Sequence, residues 1–261
     1  MKKYLVIGNP IEHSLSPKLH NNWIKENQID AIYEKKQLDE SDIKEIINDI
    51  KKDKLHGINV TVPFKKSVIP FLDELTSLAK QAQSVNTIFK KDNKIIGENT
   101  DIGGFENSLK NINYSIKNKK VFIMGAGGVA PSIIVALKRL NAAKIILSNR
   151  TKEKAENLKK IYLDIEIIDW GETPEFDMVV NATSLGLKKS DKIKINFNNI
   201  GPNKLFYDVI YNPPETNFLT KAKQFGNQIE NGKMMFIYQA QLAFKIWHNI
   251  LPKINNKILE Q

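Results

Sequence analysis

A glycine-rich loop is the first part of this chain whose residue types and spacing suggest chemistry. The loop reads Gly125-Ala126-Gly127-Gly128-Val129-Ala130, follows an apolar run at 121–124, and precedes Pro131, which suits a first helical turn. Glycines let the backbone approach a pyrophosphate closely at a helix N-terminus. The pattern predicts a dinucleotide-binding turn, and an ordinary strand-to-helix turn is the alternative.

The end of the next apolar run indicates which dinucleotide would bind. Its residues are Asn149-Arg150-Thr151. In sites for NAD, an acidic residue about 20 positions beyond the loop usually holds the ribose 2′-hydroxyl. Here the guanidinium of Arg150, with the Thr151 hydroxyl and Lys154, would bind a 2′-phosphate and favour NADP. Taken alone, Arg150 could instead be a solvated residue at a strand end.

Hydride transfer also needs a group that exchanges the hydroxyl proton, and Lys65 is the first candidate. It follows the strand-like run 57–62, in which alternation places Asn59 and Thr61 on one face. Parallel sheets bind ligands beyond the C-terminal ends of their strands. From position alone, Lys65 could also be a surface lysine beside Lys66.

Four further polar residues have both a structural and a ligand-binding interpretation. Asp101 and Ser16 could each be the N-cap of the helix that follows, although a cap can also serve a ligand. Asn86 could simply begin a strand, and Gln239 could be a polar position on the last helix. The residues themselves leave both interpretations open.

The elements that must position these residues fall into two halves. In the first half, strands alternate with helices, which predicts a parallel sheet, followed by a hairpin turning at 92–93. Its predicted strands are 4–7, 32–37, 57–62, 85–90 and 94–98, and its predicted helices are 17–27, 40–52 and 102–111. In the second half, apolar runs predict a doubly wound, Rossmann-like sheet. These runs are 121–124, 145–148, 165–168, 178–182 and 205–209.

The last 29 residues are the remaining segment with a clear pattern. The stretch 233–261 is rich in aromatic residues at helical spacing, and we expect it to pack back on the first half. The predicted fold is therefore α/β with two domains, 1–101 together with 233–261, and 102–232.

Composition narrows the possible functions. There is no cysteine, which excludes disulfides and thiolate catalysis, and the four histidines show no metal-ligand spacing, so no metal is expected. The net charge of +10 admits nucleic acid or an anionic small molecule. Basic and acidic residues are interleaved and no arginine cluster is present, which favours the small molecule. No run approaches the roughly 20 apolar residues of a membrane helix. We therefore expect a cytoplasmic protein without nucleic-acid or membrane partners.

Taken together, these segments resemble the shikimate dehydrogenase family. The joint occurrence of the motifs in order, from about residue 4 to 250, is far more specific than any one of them. In the first half the matching segments are 8–17, 59–65, 85–87 and 99–101. In the second half they are 125–130, 149–151 with Lys154, 181–186 and 211–213, with Gly232 and Gln239 completing the series.

The resemblance implies NADP-dependent, reversible reduction of 3-dehydroshikimate to shikimate in aromatic amino-acid biosynthesis. It implies that the first domain binds substrate, that the second binds NADP, and that Lys65 and Asp101 form the catalytic pair. The implied substrate-binding residues are Ser14, Ser16, Asn59, Thr61, Asn86, Tyr211 and Gln239. The implied cofactor-binding residues are Gly125, Ala126, Gly127, Gly128, Val129, Asn149, Arg150, Thr151, Lys154, Thr183, Val209 and Gly232.

The sequence leaves several alternatives open. A relative could oxidise quinate as well as shikimate, or use NAD, although Arg150 and the missing acid argue against NAD. A non-catalytic dinucleotide-binding protein could share the fold, although Lys65 and Asp101 argue against it. A nucleic-acid-binding module is suggested by net charge alone. A monomer and a homodimer are both compatible with the sequence.

Overall fold

The computed structural model describes residues 1–197 and 200–255. Its strands are β1 (Lys2–Gly8), β2 (Ala31–Gln37), β3 (Gly57–Val60), β4 (Glu74–Leu75), β5 (Thr87–Lys91), β6 (Lys94–Glu98), β7 (Lys120–Met124), β8 (Lys144–Ser148), β9 (Glu166–Ile167), β10 (Met178–Asn181), β11 (Leu205–Asp208) and β12 (Gln228–Glu230). Its α-helices are α1 (Ser16–Glu26), α2 (Ile43–Lys51), α3 (Ser77–Ala82), α4 (Thr100–Asn111), α5 (Ala130–Arg139), α6 (Lys152–Ile161), α7 (Asn217–Gln224) and α8 (Lys233–His248). None of the helices in these two ranges is long and apolar enough to cross a membrane.

The chain forms two compact units. The first comprises Met1–Gly104 and the described residues from Ile237 onward, and the second comprises Phe105–Phe236. Residues 237–255 of the aromatic-rich C-terminal segment therefore lie in the first unit, whereas residues 233–236 lie in the second.

The first unit is built on a mixed six-stranded sheet in the order β2-β1-β3-β5-β6-β4. Strands β1, β2 and β3 are parallel, as their alternation with helices predicts. The hairpin of β5 and β6 then pairs antiparallel to β3, which makes the whole sheet mixed rather than parallel. Asp92 and Asn93 form the predicted turn, both at positive φ, where these residue types are tolerated.

The second unit is a parallel six-stranded sheet in the order β12-β11-β10-β7-β8-β9. Numbered from β7, this is the doubly wound order 3-2-1-4-5-6 read in reverse. The strand order reverses between β7 and β10, so the loop after β7 lies where this fold binds ligands. That loop is the glycine-rich segment, and the Rossmann-like prediction is confirmed.

Several element boundaries differ from the sequence-based ones because side chains intervene. A 3₁₀ turn, Glu40–Asp42, precedes α2, since the Asp42 carboxylate accepts the Asp39 N–H at 2.9 Å. Strand β3 ends at Val60 rather than 62, and the chain then turns, with the Phe64 N–H donating to the Thr61 carbonyl oxygen at 2.9 Å. The predicted strand beginning at 85 begins at 87.

The C-terminal segment is helical over only part of its predicted length. Helix α8 ends at His248, and Asn249 has φ +54°, a conformation that terminates helices. Pro252 follows, and it could not continue the helix. The prediction of a helix through this stretch is thus wrong for 249–255, and 256–261 lie outside the described residues.

Candidate active site

An ion pair between Lys65 and Asp101 is the centre of the candidate site. Lys65 follows β3, and Asp101 lies in the first turn of α4; Lys65 Nζ is 2.6 Å from Asp101 Oδ2. The side chains are only 12% and 9% exposed. Lys65 is therefore not a solvated surface lysine, whereas its neighbour Lys66 is exposed.

Asp101 does not cap the helix in which it lies. The Oδ1 atom of Asn99 accepts the Ile102 N–H at 3.2 Å, which makes Asn99 the capping residue of α4. The capping interpretation of Asp101 is thus wrong. Its carboxylate is available to pair with Lys65.

Asn86 holds the Asp101 carboxylate from the other side. Its Nδ2 donates to Asp101 Oδ1 at 2.8 Å and to Thr100 Oγ1 at 2.9 Å, while its Oδ1 accepts the Thr100 N–H at 2.7 Å. The same Nδ2 lies 3.4 Å from Gln239 Oε1 on α8. Because the amide already bonds these protein groups, Asn86 fixes the orientation of Asp101, and its substrate contact stays a prediction.

Asn59 lies in β3, and Thr61 is the first residue after that strand. Asn59 is buried, and its Nδ2 donates to the Asn86 carbonyl oxygen at 3.0 Å and to Thr87 Oγ1 at 3.1 Å. Thr61 is half-buried, and its methyl group packs against Gly8, where a Cβ would come within 2.5 Å of Thr61 Cγ2. Sequence reasoning assigned no role to Gly8, although it opens the first family motif.

Ser14 and Ser16 lie at the start of α1. Ser16 is buried, and its N–H donates to the Ser14 hydroxyl at 3.4 Å. Leu15 occupies the N-cap position, with no capping bond from its side chain, so the prediction that Ser16 caps this helix is wrong. The Ser16 hydroxyl instead lies near the Tyr33 hydroxyl of β2, where it opposes the effect of burial, which raises the Tyr33 pKa.

The glycine-rich loop leaves an anion site open at the start of α5. The N–H groups of Gly127, Gly128 and Val129 have no hydrogen-bond partner within residues 1–197 and 200–255. Gly127 and Gly128 are exposed, and Pro131 lies in the first turn of α5 as predicted. Unpaired N–H groups at a helix N-terminus suit a pyrophosphate. The loop therefore fits a dinucleotide.

Two glycines of the loop differ in the space that the fold leaves for a side chain, and this difference can be tested. Gly125 has φ +107°, and a Cβ there would come within 2.9 Å of the Ala182 backbone, whereas a Cβ on Gly127 meets no atom closer than 3.8 Å. Gly125→Ala is expected to lower the melting temperature by about 3–10 °C. Gly127→Ala should leave it unchanged and raise the KM for NADP, because the added methyl occupies the open face. Thermal unfolding and initial rates measure both effects, and equal melting temperatures for the two variants would contradict this account.

Asn149 ties the glycine loop to the arginine segment. Its Oδ1 accepts the Ala126 N–H at 2.9 Å, and its Nδ2 donates to the Thr151 carbonyl oxygen at 2.7 Å. Arg150 and Lys154 are exposed, and their side chains have no partner in the described parts of the chain. A free guanidinium held beside a phosphate-binding loop fits a 2′-phosphate.

Three other predicted cofactor-binding residues lie at the same edge of the second sheet as the glycine-rich loop: Thr183, Val209 and Gly232. The Thr183 hydroxyl donates to Asn181 Oδ1 at 2.7 Å, and its methyl group packs against Gly125. Gly232 approaches Val209 so closely that a Cβ would lie 2.0 Å from the Val209 carbonyl oxygen. Only glycine can occupy position 232, which explains why Gly232 belongs to the series of family motifs. Whether these residues contact cofactor stays a prediction.

Tyr211 belongs to the second unit, whereas the other predicted substrate-binding residues belong to the first. Its ring stacks on Phe236 with centroids 4.8 Å apart. Burial raises the pKa of the Tyr211 hydroxyl.

A buried polar cluster at this edge was missed by sequence reasoning. Asp208 accepts hydrogen bonds from Thr216 Oγ1 at 2.6 Å, from Asn181 Nδ2 at 3.0 Å and from the Ile210 N–H at 3.0 Å. Burial raises the pKa of Asp208, against the opposing effect of these three bonds. Asn181 also accepts from Thr183, so the cluster fixes the loops after β10 and β11 together. Asn181 begins the 181–186 motif, which was the available signal.

The fold and these contacts define a class of protein. One unit offers an open phosphate-binding loop with a free arginine, and the other offers a lysine–aspartate pair surrounded by amide and hydroxyl groups. No group of three or more metal-ligating side chains capable of holding an ion is found among the described residues. This combination is typical of oxidoreductases that use a phosphorylated dinucleotide to act on a small polar substrate.

Comparison with known proteins identifies the family. The model of the shikimate dehydrogenase substrate binding domain matches residues 6–88, and the model described as shikimate / quinate 5-dehydrogenase matches 107–193. A relative from Pelagibacter ubique, named shikimate dehydrogenase (NADP(+)), is 61% identical over 99% of this chain and 97% of its own length. The chain belongs to the shikimate dehydrogenase family.

Solved structures share the fold over nearly the whole chain. The shikimate dehydrogenase of Aquifex aeolicus is 37% identical with a TM-score of 0.91, covering 100% of this chain and 96% of its own. The shikimate 5-dehydrogenase of Thermus thermophilus, solved with NADP(H) and shikimate, is 27% identical with a TM-score of 0.89, covering 97% and 95%.

Proposed function

We propose that this protein catalyses the reversible, NADP-dependent reduction of 3-dehydroshikimate to shikimate in aromatic amino-acid biosynthesis. The single observation that carries the proposal is the nearly buried Lys65–Asp101 pair, 2.6 Å apart, in a chain of this family. A non-catalytic relative would have no use for a lysine and an aspartate held in this way. Residues 1–101 with 233–261 would bind substrate, and 102–232 would bind NADP.

Lys65 is the proton donor in the direction of reduction. NADPH, when bound, supplies the hydride that reaches the carbonyl carbon. The Lys65 ammonium donates a proton to the carbonyl oxygen, which becomes the hydroxyl, and the lysine is left as a neutral amine. Asp101 orients the ammonium through its 2.6 Å contact with Nζ. In the direction of oxidation, the neutral amine accepts the hydroxyl proton.

The remaining polar residues of the first unit would bind substrate. Ser14 and Ser16, adjacent at the start of α1, would donate hydrogen bonds to the carboxylate. The ring hydroxyls would be held by Asn59, Thr61, Asn86, Asp101 and Gln239. Tyr211 is a further proposed substrate-binding residue. Hydrogen bonds to several hydroxyls discriminate strongly between related polyols, because an unmatched group leaves a buried polar atom unpaired.

The second unit would hold the cofactor through its phosphates. The free N–H groups of Gly127, Gly128 and Val129 would bind the pyrophosphate. Arg150, with Thr151 and Lys154, would bind the 2′-phosphate, which is the group that distinguishes NADP from NAD.

The function is tested by comparing initial rates of oxidation of shikimate and quinate, each with NADP and with NAD. We expect the highest kcat/KM for shikimate with NADP, because the free arginine matches the 2′-phosphate. A higher kcat/KM with quinate would assign the protein to the broader branch of the family. Absence of turnover with all four pairs would contradict an enzymatic role.

We further propose that the protein acts in the cytoplasm as a monomer or a homodimer. Light scattering of the purified protein distinguishes the two states, and cell fractionation tests the location.

A further inference from the structure

Tyr33 on β2 is a buried residue that the proposed reaction does not use, yet its hydroxyl lies beside two proposed substrate-binding residues. The hydroxyl donates to Asn59 Oδ1 at 2.7 Å. Burial raises the pKa of Tyr33 well above its usual value, and the neighbouring Ser16 hydroxyl opposes that rise. The Tyr33 side chain is 1% exposed. One phenol group therefore bonds Asn59 and lies next to Ser16.

The direction of the bond to Asn59 follows from the neighbours of its amide. The Nδ2 atom of Asn59 lies 3.0 Å from the carbonyl oxygen of Asn86, which can only accept. The amide oxygen must then face Tyr33, so Tyr33 donates its proton to Asn59. Because Nδ2 also donates to Thr87 Oγ1, both amide protons of Asn59 are used. One lone pair of Oδ1 remains, and Asn59 can only accept a hydrogen bond from a substrate hydroxyl.

The surroundings of Tyr33 fix its ring and its backbone. The His20 ring stacks on the Tyr33 ring with centroids 4.2 Å apart and an interplanar angle of 3°. Desolvation, with a smaller contribution from His248, lowers the pKa of His20 to about 3, so the stacked ring stays neutral at physiological pH. The Asn21 side chain accepts the Tyr33 N–H at 2.9 Å and donates to the Tyr33 carbonyl oxygen at 2.7 Å. Helix α1 thus holds Tyr33 while also carrying Ser16.

We propose that Tyr33 is a positioning residue for substrate, which presents the Asn59 oxygen as an acceptor and holds the Ser16 hydroxyl near it. This inference rests on the proposed function. Tyr33 touches neither the reacting atoms nor the Lys65–Asp101 pair, so it acts on substrate binding rather than on proton transfer.

The test is Tyr33→Phe, with Tyr4→Phe as the matched control. Tyr4 on β1 is the direct cross-strand partner of Tyr33 and is equally buried, but its hydroxyl has no partner in the described parts of the chain. We expect Tyr33→Phe to raise the KM for shikimate about 10-fold, since the Asn59 oxygen loses the hydrogen bond that holds it in position for the substrate hydroxyl. The kcat should stay within about twofold, because binding is weakened equally in ground and transition states. The KM for NADP should not change, and Tyr4→Phe should match the parent in all three.

A merely structural role predicts a different result. Loss of folded protein lowers the apparent kcat without changing KM, and thermal unfolding reports it directly. The double variant adds a second measurement: Ser16→Ala should raise the shikimate KM by a smaller factor in the Tyr33→Phe background than in the parent. Equal shikimate KM values for Tyr33→Phe and Tyr4→Phe, or factors that simply multiply, would overturn the inference in an active enzyme. A parent protein inactive on shikimate would overturn the proposed function and this inference with it.

Discussion

Lys65→Ala is expected to lower kcat for shikimate oxidation by a factor of about 10² to 10⁴, the range for losing a general acid or base. The reason is geometric as well as chemical, because Lys65 is the one cation that the described structure places on the Asp101 carboxylate, at 2.6 Å. Steady-state kinetics at saturating shikimate and NADP measure the effect. The KM for NADP should stay close to that of the parent, since Lys65 lies in the other unit from the glycine loop.

Lys66→Ala is the matched control for this prediction. It removes the adjacent charge, but Lys66 is exposed and makes no ion pair within the described residues, so parental turnover is expected. Thermal unfolding of Lys65→Ala shows whether the variant remains folded, because the substitution leaves the Asp101 carboxylate without its cation. A folded Lys65→Ala protein with unchanged kcat would show that another group donates the proton.

The second large effect is expected from Arg150→Ala, which should raise the KM for NADP by about 10- to 100-fold, as for a lost hydrogen bond to a charged group. The KM for NAD should change little, because NAD has no 2′-phosphate for the guanidinium to bind. The ratio of kcat/KM values for the two cofactors therefore falls. Parallel titrations of NADP and NAD with saturating shikimate measure the ratio.

Arg139 offers a close control, since Arg139 and Arg150 are the two arginines in the sequence. The Arg139 guanidinium already bonds the Glu106 carboxylate at 2.7 Å, whereas Arg150 has no such partner in the described structure. Arg139→Ala should leave both cofactor KM values at the parental level. If the parent itself used NAD and NADP equally well, the assignment of Arg150 to the 2′-phosphate would be wrong.

Much of the fold follows from local sequence signals. Isoleucines at positions 43, 46, 47 and 50 recur at helical spacing, and all four are buried in α2. The apolar runs that precede the glycine loop and Arg150 become β7 and β8, because short runs of that kind between helices form parallel strands. The turn at Asp92 and Asn93 forms where the residue types allow positive φ.

The helix-capping predictions that are wrong concern residues for which a distant group competes with the capping preference. Serine is a residue type that commonly caps helices, but Leu15 occupies the N-cap position of α1, and Ser16 is buried near the Tyr33 hydroxyl of another element. Aspartate is also a common capping residue type, but Asn99 caps α4, and the Asp101 carboxylate pairs with Lys65. A capping preference describes which backbone groups a side chain can bond in its own helix. It contains no information on the partners that folding brings near from other elements.

The sequence by itself determined the kinds of group available to this protein: a glycine loop that can bind phosphate, an arginine where NAD sites have an acid, and a lysine after a strand. These signals are local, because they depend on residue type and on spacing within one strand–loop–helix unit. Only the tertiary structure decided which hydrogen bonds each polar group makes. Asn86 and Asn59 are both amides in family motifs, yet one fixes Asp101 and the other keeps a single lone pair free, because donors and acceptors from distant strands and helices occupy the remaining positions. Hydrogen-bonding capacity belongs to a residue type, but its use depends on neighbours that the chain brings together only on folding.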